Sequence, residues 1–266
     1  MKTLTRIKST ILSGLLATAG FASSSIAADL TVGANIGNVP WEFQDASGKT
    51  VGFEIDLVTE IGKRLGKSVE FVNIPFSGLF SAVQSGRINM AVSSITITEK
   101  RLESVTFAQP YYDSDQSLTV LASSGISGVS AMEGKVVGVD TGSTGDMWAT
   151  TNTAKYKLGE IRKFEGLSPA MLDLAAGRID GYISDIPALQ YYVKDKPELK
   201  VVERITTGEK YSVMFNKGDP LATEVNEVIS TLKKEGFVAK LHETWFGAKA
   251  EETTSTVMVM DMPSAK

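Results

Sequence analysis

Apolar and polar positions along this chain switch between two periods. Leu30 to Gly33 is a short apolar run that predicts a strand. Leu57, Val58, Ile61 and Leu65 then recur on one helical face, and Gly66 is placed to end that helix in the left-handed conformation. Val69 to Val72 predicts a second strand. Leu79, Phe80 and Val83 predict a second helix stopped near Gly86, and Met90 to Val92 a third strand. Such alternation implies an α/β fold with mostly parallel sheets covered by helices. Further on, Tyr211 to Phe215 predicts a strand, and Val225 to Leu232 and Phe237 to Trp245 predict amphipathic helices. Ala248 to Lys266 has no clear period and is expected to be a mobile tail.

The pattern also repeats. Ser85-Gly86-Arg87-Ile88-Asn89-Met90-Ala91-Val92-Ser93-Ser94 is echoed by Ala176-Gly177-Arg178-Ile179-Asp180-Gly181-Tyr182-Ile183-Ser184-Asp185. Val32 to Gly37 is echoed by Val137 to Gly142. Two echoes in the same order suggest two lobes of similar design. Ligands of open parallel sheets bind outside the carboxyl ends of the strands. Asn35, Ser93 and Ser94 occupy such ends in one half, and Asp140, Ser143, Thr144 and Asp185 in the other. A cleft between the lobes is therefore the candidate site.

Composition narrows the function. The chain has 266 residues, room for one large or two modest domains, and a net charge of −4 with no basic stripe. Nucleic acid is excluded as a partner on that ground. Lys2, Arg6 and Lys8, the apolar stretch Ile11 to Phe21 and the small residues Ser25-Ile26-Ala27 read as a cleaved signal peptide over residues 1–27. The stretch is too short to anchor the protein in a bilayer. With no cysteine there is neither a lipid anchor at the cleavage site nor a disulfide. An exported protein without an anchor is expected in a bacterial periplasm. With no cysteine and the single histidine His242, no metal site and no Ser/His/Asp triad suggests itself.

The most informative stretch is Ser93 to Arg101, which runs from a strand end through a polar loop to a helix start that Thr98 can cap. Free backbone N–H groups and one arginine suit a carboxylate. Arg101 taken alone is more often a solvated surface arginine. Asp140-Thr141-Gly142-Ser143-Thr144-Gly145 is either an anion-binding nest or a plain strand-to-helix turn, and it lacks the ending of a nucleotide-binding phosphate loop. Asp185 either caps the helix that begins at Ile186-Pro187 or receives a ligand ammonium. Trp41, Phe43 and Phe76 lie near strand ends, where an aromatic usually covers core.

These residues resemble the polar-amino-acid family of periplasmic solute-binding proteins of ABC transporters. The resemblance rests on Val39-Pro40-Trp41-Glu42-Phe43, Val51 to Leu57, Ser93 to Arg101, Phe107-Ala108-Gln109-Pro110-Tyr111-Tyr112, Gly134 to Val139 and Trp245-Phe246-Gly247. It implies a type II two-lobe clamp, with lobe 1 over residues 29–110 and 211–247, lobe 2 over 116–205 and a tail over 248–266. The crossovers near Tyr111 to Asp115 and Thr206 to Lys210 would be hinges. By the resemblance, Arg101 and the amides of Thr96 and Thr144 hold an α-carboxylate. Asp185, the Thr96 hydroxyl and the Ser94 carbonyl hold an α-ammonium, and Phe76 stacks on the ligand. Asn35, Asn38, Ser93, Asp140, Ser143 and Ser184 surround the ligand's side chain. Asn38 stands where relatives often place an aromatic, Asn35 where relatives with basic ligands often have Asp, and no second cation stands in the side-chain pocket. A neutral polar or basic amino acid, or a derivative, is the expected ligand. The expected protein is a monomer without cofactor or catalytic activity, and its partners are the transporter's membrane subunits. The competing expectations are a cyclohexadienyl-dehydratase-like enzyme on the same fold, for which Asp140 is the one candidate acid or base, and a ligand-sensing module.

Overall fold

The computed structural model describes residues 28–265, so the signal-peptide reading lies outside the described residues. The first lobe opens with β1 (Leu30–Ala34), the hairpin β2 (Phe43–Gln44) and β3 (Thr50–Val51), and α1 (Phe53–Leu65). It continues through β4 (Val69–Asn73), α2 (Phe76–Gln84), β5 (Met90–Ala91), α3 (Glu99–Leu102) and β6 (Val105–Phe107). The chain crosses along β7 (Tyr112–Leu121) into a second lobe of β8 (Val136–Asp140), α4 (Thr144–Tyr156), β9 (Glu160–Phe164), α5 (Leu167–Ala175), β10 (Gly181–Asp185) and α6 (Ile186–Val193). It returns along β11 (Leu199–Tyr211) and completes the first lobe with β12 (Met214–Asn216), α7 (Leu221–Lys234) and α8 (Phe237–Phe246).

Local chemistry explains these elements. In α1 the residues Phe53, Leu57, Val58 and Ile61 are buried, Glu54 and Asp56 occupy the first turn, and Lys63 and Arg64 the last. That placement complements the helix dipole. Gly66 closes the helix at φ 67°. The internal echo has a structural counterpart: α2 and α5 are each followed by a left-handed glycine, Gly86 at φ 71° and Gly177 at φ 68°. Each then leads to a strand parallel to the lobe's first βαβ strand, β5 beside β1 and β10 beside β8.

The sheets run in the orders β4-β1-β5-β12-β6 and β11-β7-β10-β8-β9. Each is parallel at its βαβ heart and antiparallel where the crossing strands join, because β12 and β7 enter from the other lobe. The result is a mixed sheet in each lobe, more antiparallel than strand–helix alternation alone suggests.

The crossing strands are tied to the first lobe by an aromatic cluster. Trp41 is fully buried, with ring centroids 5.5 Å from Phe53, 4.7 Å from Tyr112 and 5.4 Å from Tyr211, all edge-on. His242 packs on Tyr112 and meets the Ala248 carbonyl through Nδ1.

The C-terminal segment, expected as a mobile tail, is hydrogen-bonded to the rest of the protein. Residues 248–265 contain no helix or strand, yet Ser255 and Thr256 are buried. The Ser255 N–H donates to Asp113 Oδ2 (2.8 Å), the Thr256 hydroxyl to the Tyr111 carbonyl (3.1 Å), and the Met260 N–H to Gln109 Oε1 (3.1 Å). Lys233 Nζ donates to Gln109 Oε1, the Pro110 carbonyl and the Met258 carbonyl at 2.6–2.9 Å. A segment held by such bonds needs no amphipathic period, so periodicity could not reveal it.

Candidate functional site

The carboxyl ends of the strands face one another across a cleft whose pocket has a volume of about 30 Å³. The first lobe lines it with Asn35 and Asn38 after β1, Phe76 at the start of α2, Ser93, Ser94 and Thr96 after β5, and Arg101 of α3. The second lobe lines it with Asp140 at the end of β8, Ser143 and Thr144 at the start of α4, and Ser184 and Asp185 at the end of β10. The structure thus brings all twelve candidates together. Leu167, at the start of α5, completes the lining.

Arg101 is held as an anchor rather than a surface side chain, with only 5% of its area exposed. Thr98 caps α3 by accepting from the Arg101 N–H, which fixes the helix start. The guanidinium donates to the Thr96 carbonyl (2.7 Å) and, across the cleft, to the Gly142 carbonyl (3.2 Å). It lies 5.5 Å from the Phe76 ring centroid and 5.1 Å from that of Phe80. Burial draws its pKa down to about 10, against the attraction of Glu209 and Asp185. Opposite it, Ser143 caps α4 by accepting from the Asp146 N–H. The helix then begins at Thr144, where the first-turn amides have no intrahelical acceptor. Gly145 allows the close approach: a Cβ there would lie 2.8 Å from the Ile183 carbonyl oxygen and 2.9 Å from Gln116 Oε1.

Asp185 is not spent on capping its helix. It is the N-cap of α6 but makes no side-chain cap hydrogen bond. Its carboxylate instead accepts from Ser94 Oγ (2.9 Å) on the other lobe and from Gln116 Nε2 (2.6 Å). Burial, and then repulsion by Glu209, push its pKa up to about 7.

Gln116 and Glu209, on the two crossing strands, form a layer that the sequence did not reveal. Glu209 accepts from Thr96 Oγ1 (2.7 Å), Thr144 Oγ1 (3.0 Å) and Gln116 Nε2 (3.0 Å), so one carboxylate on a crossing strand gathers hydroxyls from both lobes.

Beneath the first-lobe wall lie two fully buried carboxyls. Glu42 accepts from Ser93 Oγ (2.6 Å) and Asn38 Nδ2 (3.3 Å), while Glu54 accepts from the Ser94 N–H (2.9 Å) and the Tyr111 hydroxyl. Ser94 sits at φ 43°, a left-handed conformation unusual for a residue with a side chain, and its N–H bond to Glu54 helps hold it there. Burial and the charge of Glu54 push the Glu42 pKa well above the carboxylate range.

At the far end of the pocket, Asp140 Oδ1 is buried without a hydrogen-bond partner, as is the neighbouring Tyr182 hydroxyl. Burial pushes the Asp140 pKa up to about 7 and Glu165 adds repulsion, against a partial offset from the nearby Tyr182 hydroxyl and Gly166 N–H. Trp41 and Phe43 contribute nothing to the pocket: Trp41 is core, and Phe43 packs on Trp245 and Tyr191. Among the described residues no cluster of His, Cys, Asp and Glu could hold a metal ion, and no helix is long and apolar enough to cross a membrane.

A guanidinium and a carboxylate meeting over one polar pocket, each from a different lobe, are suited to a small zwitterion held by closure of the lobes. Comparison with known proteins agrees with that class. Residues 30–248 match the family described as bacterial extracellular solute-binding proteins, family 3, and the chain belongs to it. An L-cystine-binding protein of Escherichia coli (strain K12) is 29% identical over 213 residues, which are 79% of each chain. A histidine-binding periplasmic protein of Salmonella typhimurium (strain LT2) is 30% identical over 256 residues, covering 92% of this chain and 97% of the relative. The structure of an ancestral arginine-binding protein bound to arginine superposes with a TM-score of 0.78 at 35% identity, covering 82% of this chain and 98% of that one.

Proposed function

We propose that this protein is the periplasmic substrate-binding component of an amino-acid ABC transporter. It acts as a monomer that captures a polar amino acid, neutral or basic, or a derivative of one, and presents it to the transporter's membrane subunits. The observation that carries the reading is that Arg101 and Asp185, from opposite lobes, line one pocket. In this reading Arg101 and the Thr96 and Thr144 amides take the α-carboxylate, and Asp185 with the Ser94 carbonyl takes the α-ammonium. Neither lobe alone completes the set. The ligand therefore favours the closed form by its differential contacts, and closure is the signal offered to the transporter. The related proteins named for arginine, histidine and cystine support this ligand class.

The test is calorimetry of refolded, ligand-stripped protein against a panel of amino acids, with the Arg101→Ala variant alongside. Removing one member of a desolvated charge pair costs about 2–5 kcal/mol, so affinity should fall by more than tenfold in a folded variant. Undiminished affinity in folded Arg101→Ala protein would overturn the clamp.

One observation favours a second reading. Asp140, with its pKa raised to about 7 in the pocket, has the acid/base character that a dehydratase of small carboxylates would require. Burial accounts for the shift and the pocket wall carries a single cation, Arg101, so binding without turnover remains the proposal. Incubation with cyclic and acyclic hydroxy-carboxylates, followed by mass spectrometry for dehydrated product, separates the two.

A further inference from the structure

The two crossing strands are held differently at their two ends. Next to the first lobe they pair in register, Lys210 opposite Asp113 and Tyr211 opposite Tyr112. Towards the second lobe the register slips between Ile205 and Glu209, so residues 206–208 have no partner on β7. One carboxylate takes the partner's place. Asp115 Oδ1 accepts from the Thr207 and Gly208 N–H groups at 2.7 Å each, and Oδ2 accepts from Arg204 Nε at 2.8 Å. Gly208, at φ 66°, turns the chain back into register. A stretch held through a side chain absorbs a change of backbone angle more readily than a continuous ladder, so it is here that the strands can bend.

The C-terminal segment fastens the opposite end. Ser255, 1% exposed, joins both strands. Its Oγ donates to Asp113 Oδ1 on β7 (2.5 Å) and accepts from Lys210 Nζ on β11 (2.9 Å), and its N–H donates to Asp113 Oδ2 (2.8 Å). Lys210 Nζ also donates to Asp113 Oδ1 (2.6 Å), which closes the triangle. The Thr256 hydroxyl and the Met260 N–H hold Tyr111 and Gln109, and Met262 packs on the first-lobe core. Gln109 is bonded in turn to Asn226 and Ser230 of α7. The match to the family ends at residue 248, so this fastening segment lies outside it.

Taking the two-lobe clamp as its premise, we infer that residues 251–262 are a hinge strap, which locks the first-lobe ends of both crossing strands and confines opening to the slipped stretch around Asp115 and residues 206–208. The effect on binding follows from conformational freedom. With the lobes together, Ser77 Oγ donates to Glu165 Oε2 (2.8 Å) and the Arg101 guanidinium to the Gly142 carbonyl (3.2 Å), contacts that order the crossing strands whether or not the strap is present. With the lobes apart, those contacts are gone and the strap limits the strands. Removing the strap therefore loosens the open form more than the closed one, and ligand-driven closure becomes less favourable.

The test follows the lobes themselves. The chain has no cysteine, so Ser81→Cys on α2 and Leu172→Cys on α5, both exposed positions, can carry a pair of spin labels. Pulsed electron paramagnetic resonance records the label distances in ligand-stripped protein with the tail intact, with residues 251–266 deleted, and with Ser255→Ala and Thr256→Val together in the full-length chain. Circular dichroism checks that each is folded. Both tail variants are expected to give longer and more broadly distributed distances. Calorimetry with the amino acid of the panel that the intact protein binds most tightly should show affinity lower by at least about fivefold, the equivalent of freeing the backbone of one residue. A tail that only stabilises the fold would lower the unfolding midpoint and change neither readout, so unchanged distances or unchanged affinity in a folded variant overturns the inference. If the deletion does not fold, the full-length double substitution decides. If no amino acid of the panel binds the intact protein, the amino-acid reading fails and the label distances alone decide the strap.

Discussion

Replacing Glu42 by Gln probes the buried carboxyl pair that supports the first-lobe wall. Both Glu42 and Glu54 are fully buried. Glu54 accepts from a backbone N–H and a phenol, bonds that favour its charged form, whereas Glu42 lies beside that charge. The Oε2 atoms of both are buried without a hydrogen-bond partner and burial raises both pKa values, so the expectation is one proton shared by the pair and resident on Glu42. The Glu42 pKa in the fold therefore lies well above its unfolded value. For a carboxyl raised in this way, the stabilising contribution is fully present below the ordinary carboxylate range and is lost as pH rises through the folded value. The loss is about 1.4 kcal/mol per pH unit for one proton. The amide of the Glu42→Gln variant retains an oxygen for Ser93 and Asn38 and offers Glu54 an N–H that never ionises. The stability of Glu42→Gln relative to wild type should thus climb as pH rises above the ordinary carboxylate range, by up to about 1.4 kcal/mol per pH unit. Asp140 and Asp185, both raised to about 7, impose slopes of the same sign on both proteins, so the difference reports the coupled Glu42–Glu54 pair. Urea unfolding of ligand-free protein at three pH values and constant ionic strength measures it. Parallel stability profiles, or a variant that loses ground as pH rises, would refute the shared proton.

Two further outcomes are expected. Because Asp185 titrates near 7 and an ammonium needs its carboxylate form, affinity for an α-amino acid should weaken as pH falls below about 7, by up to tenfold per pH unit; calorimetry across that range checks the sign, and tighter binding on acidification contradicts the assignment. Deleting residues 251–266 removes the bonds from Ser255 to Asp113, from Thr256 to the Tyr111 carbonyl and from Lys233 to the Met258 carbonyl. At about 1 kcal/mol for each neutral bond and about 1.5–3 for each charged one, stability should fall by about 3 kcal/mol or more, which an unchanged thermal midpoint would exclude.

What could be read from the sequence divides along a physical line. Arg101, Asp185 and the serines and threonines around them were legible because each follows a short apolar strand at a glycine-punctuated turn, where the fold class itself directs side chains into the cleft. Glu209 and Gln116 were not. Both lie within long crossing strands, and β11 shifts register against β7 between Val201 and Glu203 and again between Ile205 and Glu209. A register shift breaks the alternation of faces, so counting in twos along Leu199–Tyr211 does not tell which side chain reaches the cleft. The tail was missed for a related reason: its order comes from hydrogen bonds to the hinge strands and to Lys233, whose pKa burial draws down to about 7, and not from an apolar stripe. Asp140 stands between these cases. Its place at the end of a strand could be inferred from the echo of Val32 to Gly37, but its lack of a partner depends on how β8 lies beside β10, which brings Tyr182 close while leaving Oδ1 and the phenol without a completed hydrogen bond. Position in the fold is written locally. Whether a polar group there finds a partner depends on residues more than forty positions away, so the turn alone does not disclose it.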